Sequence, residues 1–141
     1  MIILDTNRVS ALQADGGMAR QNLTRRMQLS ADQDFVISAI TVEEQLRGWL
    51  AEIHGELDFV KQTGSYQHLV GLVRFFGVWK ILPFDASSAQ QTIALRKAKV
   101  RIGTMDLKIA ATALSHNVLL LTANSRDFSQ VPGLWFEDWL H

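Results

Sequence analysis

Cysteine is absent from this chain, which excludes a disulfide framework and any thiolate metal site and fits a reducing, cytoplasmic setting. Proline is nearly absent: Pro83 and Pro132 punctuate the sequence without dividing it. No repeat or low-complexity tract interrupts residues 1–141, so one domain is expected. Net charge is missing too, because fourteen basic residues balance fourteen acidic ones. A global basic field for sequence-blind DNA binding is thereby argued against, although local basic groups remain open to a nuclease. No run of eighteen apolar residues occurs, so no membrane span is expected. The N-terminal apolar run, Met1 to Leu4, has no basic leader and does not read as a signal peptide. Neither GxxxxGK[ST] nor GxGxxG is found, leaving nucleotide-cofactor chemistry unsupported.

What is present is a chain 48% hydrophobic, enough for a sizeable core. Short apolar runs with strand character are IIL (2–4), FVI (35–37), ILPF (81–84) and VLLLT (118–122). Helical spacing lies between them. VEEQLRGWLAEI places Val42, Leu46, Trp49, Leu50 and Ile53 on one face. The stretch Gly64–Trp79 is apolar nearly all round and must be covered by core or by a second subunit. Helices are also expected over 86–100 and 105–116, behind the capping residues Asp85 and Thr104. Buried strands alternating with helices predict an α/β domain with a mostly parallel sheet, whose ligands sit beyond the carboxyl ends of the strands.

Acidic residues occupy those ends. Asp5 closes the first strand, Glu44 begins the helix after the second, Asp106 begins the helix before VLLLT, and Asp127 follows in SRDF. Each has a plain structural reading. Asp5 can cap a helix starting near Asn7, Thr41-Val42-Glu43-Glu44 has the form of a capping box, Asp106 suits a helix dipole, and Asp127 suits a turn. Together those readings strain, since two carboxylates about 4 Å apart repel by roughly 4 kcal/mol at an effective dielectric near 20. Such a cluster is tolerated when protonated or when it holds a cation. All-oxygen ligation suits Mg²⁺ or Mn²⁺ rather than zinc, and His54, His68, His116 and His141 show no metal-ligand spacing. Such a cation would acidify a bound water and neutralise charge on a phosphodiester.

The segments ILDTN (3–7), ISAITVEEQLRG (37–48), LPFD (82–85), IGTMDLKIAATAL (102–114) and LLLTANSRDFSQVPGLWFEDW (119–139) resemble, in order and spacing, a PIN domain. More narrowly they resemble the VapC toxins of bacterial type II toxin–antitoxin modules. The resemblance implies a three-layer α/β/α domain and Mg²⁺- or Mn²⁺-dependent endoribonuclease activity on a structured RNA such as a tRNA. It also implies a homodimer and inhibition by a VapB antitoxin. By the same resemblance Asp5 and Asp106 match the usual metal ligands. Glu44, six residues after Ser38, matches the second acid in preference to Glu43. Asp127 is assigned the fourth carboxylate, with Asn124 as its polar neighbour. Asn7, Arg8, Thr104, Asn124 and Arg126 are the expected substrate-positioning groups, and Lys108 is a further candidate phosphate contact. Arg8 departs from the family, where an apolar or smaller residue is common. It is expected either to bind a phosphate or to neutralise the pocket.

Rival readings are an aspartyl-phosphate phosphatase, a non-catalytic RNA- or protein-binding module, and a DNA-directed nuclease. The first wants a second acid where this chain has Asn7. The second sits poorly with four acids present. Neutral charge and small size favour RNA over DNA.

Overall fold

The computed structural model describes residues 1–139. Three very short strands, β1 (Ile2–Leu4), β2 (Phe35–Ser38) and β4 (Leu119–Leu121), form the middle of a five-stranded sheet. β3 (Ile81–Leu82) and β5 (Phe136–Glu137) lie at its edges, in the order β3-β2-β1-β4-β5, and every pairing is parallel. Side chains alternate between the two faces of such strands. Ile3, Val36 and Leu120 therefore join one core with Leu95, Leu107, Ile109 and Phe128. Ile2, Leu4, Ile37, Leu119 and Leu121 join another with Val9, Leu23, Leu72 and Phe76. Near-continuous apolar strands are thus explained: both faces are covered.

The helices α1 (Thr6–Gln13), α2 (Met18–Leu29) and α4 (Phe59–Phe76) serve the second core, and α5 (Ala86–Lys97), α6 (Thr104–His116) and the short α7 (Ser125–Phe128) the first. α3 (Ala39–Gly55) feeds both, through Ile40 on one side and Val42, Leu46 and Trp49 on the other. The three-layer α/β/α architecture expected from the sequence is what forms.

Several boundaries differ from expectation. α3 starts three residues before Val42, capped by Ser38, whose Oγ accepts from Thr41 N at 3.3 Å. Thr41 is therefore interior, and the capping-box reading of Glu44 is wrong. Thr104 is likewise the first residue of α6 rather than its cap, a place taken by Gly103. Asp85 does cap α5, accepting from Ser88 N at 2.9 Å. α4 begins at Phe59, capped by Asp58, and ends at Phe76 instead of running to Trp79. α2 carries no apolar stripe, since it buries only Leu23, and its start follows Gly16 and Gly17 at φ +78° and +96°, a turn that favours glycine. β5 is a two-residue strand that no periodicity could signal.

Candidate active site

β1 delivers Asp5 to the carboxyl edge of the sheet, where Asp5 N donates to Leu121 O at 2.9 Å. The carboxylate caps α1, accepting from Thr6 N at 2.8 Å on Oδ1. Its Oδ2 accepts from Thr122 Oγ1 at 2.7 Å and from Asn7 Nδ2 at 3.3 Å. Only 3% of Asp5 is exposed. Burial pushes its pKa up, Glu44's charge adds to that, and the bonds from Thr122 and Thr6 and the charge of Arg8 pull the other way.

The neighbouring acids are wired to the same edge. Glu44 Oε1 accepts from Thr6 Oγ1 at 2.8 Å. That hydroxyl has one proton to give, so Thr41 Oγ1, 3.0 Å away, donates to Thr6. Burial raises the Glu44 pKa, helped by the charges of Asp106 and Glu43. Asp106, in the first turn of α6, is raised by burial and by the charges of Asp5 and Asp127. Asn124 ties the last two together: its Nδ2 donates to Asp106 Oδ2 at 3.2 Å and to Asp127 Oδ2 at 3.0 Å. Asn124 N in turn donates to Thr122 Oγ1 at 2.9 Å. A continuous path, Asp5–Thr122–Asn124–Asp106/Asp127, crosses the rim.

All four sequence-derived acids are therefore brought together, and Asn7 and Asn124 with them. Asn7 Oδ1 also accepts from Ala123 N at 3.2 Å, pinning α1 to the end of β4. Sequence reasoning missed three hydroxyls, Thr6, Thr41 and Thr122. Their signal was position, each standing at or just beyond the end of an apolar run. Glu43 points elsewhere and pairs with Arg47 one turn on.

The expected positioning groups fare unevenly. Arg8 is 1% exposed and its Nη2 meets Asp138 Oδ1 at 3.1 Å, so the phosphate-contact reading is corrected: a guanidinium so buried faces no substrate. Arg126 is exposed beside Asp127. Lys108 is half-buried, with Nζ 5.6 Å from the Phe84 ring centre. Thr104 accepts from Arg96 Nη2 at 2.7 Å, on the outside of α6. His54 and His68 are exposed, His116 is half-buried at the end of α6, and His141 lies outside the described residues.

Among the described residues, no three acidic or imidazole groups close into a cage for a cation. A protein-only cage is not what Mg²⁺ requires, since it keeps several waters and binds through one or two carboxylates plus substrate phosphate. The donor set fits such an ion, because it is all oxygen and burial, helped by the charges of neighbouring acids, raises the pKa of Asp5, Glu44 and Asp106.

The family model of the PIN domain matches residues 2–134. The chain belongs to the PIN-domain family. Within it, this PIN domain is 36% identical over 107 residues to the tRNA(fMet)-specific endonuclease VapC of Shigella flexneri, covering 73% of this chain and 74% of that one. It is 28% identical over 138 residues to ribonuclease VapC of Rickettsia bellii, covering 94% and 92%. Among solved structures, FitAcB from Neisseria gonorrhoeae superposes with a TM-score of 0.69 at 28% identity, covering 99% of each chain. VapBC-1 from nontypeable Haemophilus influenzae shares the fold, with a TM-score of 0.73 at 24% identity over the whole of both chains.

Proposed function

We propose that this PIN domain is a Mg²⁺- or Mn²⁺-dependent endoribonuclease, the toxic half of a type II toxin–antitoxin pair, acting in the cytoplasm on tRNA or another structured RNA. The observation that carries the reading is the rim of Asp5, Glu44, Asp106 and Asp127, buried enough to raise three of their pKa values and joined through Thr6, Thr122 and Asn124. It is supported by the similarity to VapC ribonucleases, two of them tRNA(fMet)-specific endonucleases.

A bound divalent ion supplies positive charge at the scissile phosphate and acidifies a water. Asp5 and Asp106 would hold it, with Asp127 completing the acidic edge. Thr122 and Thr6 N fix the Asp5 carboxylate, and Asn124 fixes the spacing between Asp106 and Asp127. Glu44, oriented by Thr6 and pushed up from its ordinary pKa by burial, would accept the proton of the attacking water. Water oxygen then bonds to phosphorus as one P–O ester bond breaks and the leaving oxygen takes up a proton.

The reading includes two partners. VapBC and FitAB complexes among the structural neighbours support a VapB-type antitoxin. A groove of about 520 Å³ between α1, α3 and α4, lined by none of the four acids, would offer a seat for its apolar segment, with Trp49 stacked on His68 at 4.4 Å. A second copy would cover the outer face of α4, where Phe59, Tyr66, Val70 and Val73 recur at seven, four and three residues and stand exposed. Asp58 and Glu56 at one end of that helix and Arg74 at the other would meet as opposites in an antiparallel pairing. No helix among the described residues is long and apolar enough to cross a membrane.

Purified protein incubated with total cellular RNA, in Mg²⁺ and in EDTA, tests the activity by mapping new 5′ ends. Discrete ends appearing only with the ion are expected. Intact RNA under both conditions would remove the nuclease reading.

A further inference from the structure

Asp5 is the N-cap of α1 and Arg8 the third residue of that helix. A side chain at this third position reaches back toward the cap, and an acid and a base three apart on a helix pair readily. The default partner of Arg8 is thus Asp5, through a fork well matched to a carboxylate. The two charges do sense each other, each stabilising the other's ionised form. Yet among the described residues the carboxylate in ion-pair contact with Arg8 is that of Asp138, 130 residues away, not Asp5. The diversion is costly, because burial disfavours the guanidinium's charge and its buried Nε has no hydrogen-bond partner among the described residues. Asp138 lies beyond residue 134, where the PIN-domain match ends, directly after β5.

We propose that Asp138 is a positioning residue for the carboxylate site: by holding the Arg8 guanidinium it keeps this arginine off Asp5, whose oxygens stay available to a divalent cation. The inference rests on the metal-dependent reading above. Thr6 N bonds Oδ1 of Asp5, and Thr122 and Asn7 bond Oδ2, so three of the carboxylate's four lone-pair positions are taken; a guanidinium would compete with the ion for what remains. The last strand of the chain then contributes to the first acid of the site without touching it. The surrounding contacts hold this segment in place, with Trp139 edge-on to Phe35 at 6.1 Å and under Arg26 at 5.0 Å.

Mn²⁺ binding to the full chain, followed by electron paramagnetic resonance and calorimetry with melting curves as a check on folding, decides it. Asp138→Ala should weaken Mn²⁺ binding by about tenfold or more, the range typical of groups that support metal ligands. The double variant Arg8→Met/Asp138→Ala should recover the lost affinity, since no arginine remains to compete. A structural role alone predicts the opposite pattern, with unchanged affinity in folded Asp138→Ala or an equal loss in the double variant, and either result overturns the proposal. Should Asp138→Ala not fold, Arg8→Met decides: Mn²⁺ bound as tightly as in the wild type or more so supports the proposal, and weaker binding overturns it. If the wild-type chain binds no Mn²⁺, the metal reading falls. The positioning claim is then decided by a metal-free crystal structure of Asp138→Ala, in which Arg8 bonded to Asp5 supports it and Arg8 turned elsewhere refutes it.

Discussion

The carboxylate rim and the outer face of α4 are both unfavourable for an isolated chain, in opposite ways. At the rim, Asp5, Glu44 and Asp106 are charged groups held in a half-dry place beside like charges. On α4, Tyr66, Val70 and Val73 are apolar groups left in water. The sheet between them is locally consistent: its three central strands are apolar and covered on both faces. Departures from such consistency concentrate where a protein meets something outside itself. The two regions differ in what would relieve them, a cation in one case and apolar surface in the other, and each can be broken separately.

The largest effect is expected at the rim. Asp5→Asn or Asp106→Asn should lower RNA cleavage by several orders of magnitude, while the melting temperature in EDTA stays level or rises because a repulsion is removed. Wild-type cleavage rates in Mg²⁺ would contradict the site. Next comes a contrast inside one helix. Glu44→Gln should cost roughly 10²-fold or more in cleavage, the scale of a lost general base, whereas Glu43→Gln, which loses only an exposed pair with Arg47, should keep most of the activity. Equal losses would point to damage of α3.

On the apolar side, the proposed dimer should give way to a monomer in Val70→Glu by light scattering, without unfolding of the chain, since the residue is exposed. A wild-type chain that is already monomeric would remove the dimer, and a dimer mass unchanged in the variant would place the second copy elsewhere. The pH response sharpens the same contrast. Asp5, Glu44 and Asp106 bind protons more tightly in the fold than at their ordinary values of 3.8, 4.5 and 3.8. The folded state thus holds more protons, and stability falls as pH rises from that range through the raised folded values. Melting in EDTA should show this fall, Asp106→Asn should flatten it, and Val70→Glu should leave it alone. Smallest of all, Arg126→Ala should reduce the salt slope of RNA binding by roughly 0.7–0.9 if its exposed side chain meets one phosphate.

Much of this was written locally. Four apolar residues ending in Asp5 announce a buried parallel strand with its functional group at the tip, and the same logic finds Asp106 and Asp127 around the LLL of β4. Periodicity also finds α3, which turns an apolar stripe toward the sheet, whereas α5 and α6 follow from the capping signals Asp85 and Thr104, although Thr104 proves to be the first helical residue. Other features could not be read that way. α2 buries one leucine and so carries almost no stripe. Ser38 displaced Thr41 as the cap because the strand ends at Ser38 and the helix follows without a loop. The sequence by itself determined the alternating architecture, the family, and which acids stand at strand ends. Only the tertiary structure decided that Thr122 holds Asp5 across 117 residues, that Asn124 spaces Asp106 from Asp127, and that Arg8 turns to Asp138 instead of its helical neighbour. The physical reason is that a hydrogen bond or ion pair goes to whichever group the sheet order brings near, and a parallel sheet ordered β3-β2-β1-β4-β5 sets beside the first strand residues from the far end of the chain.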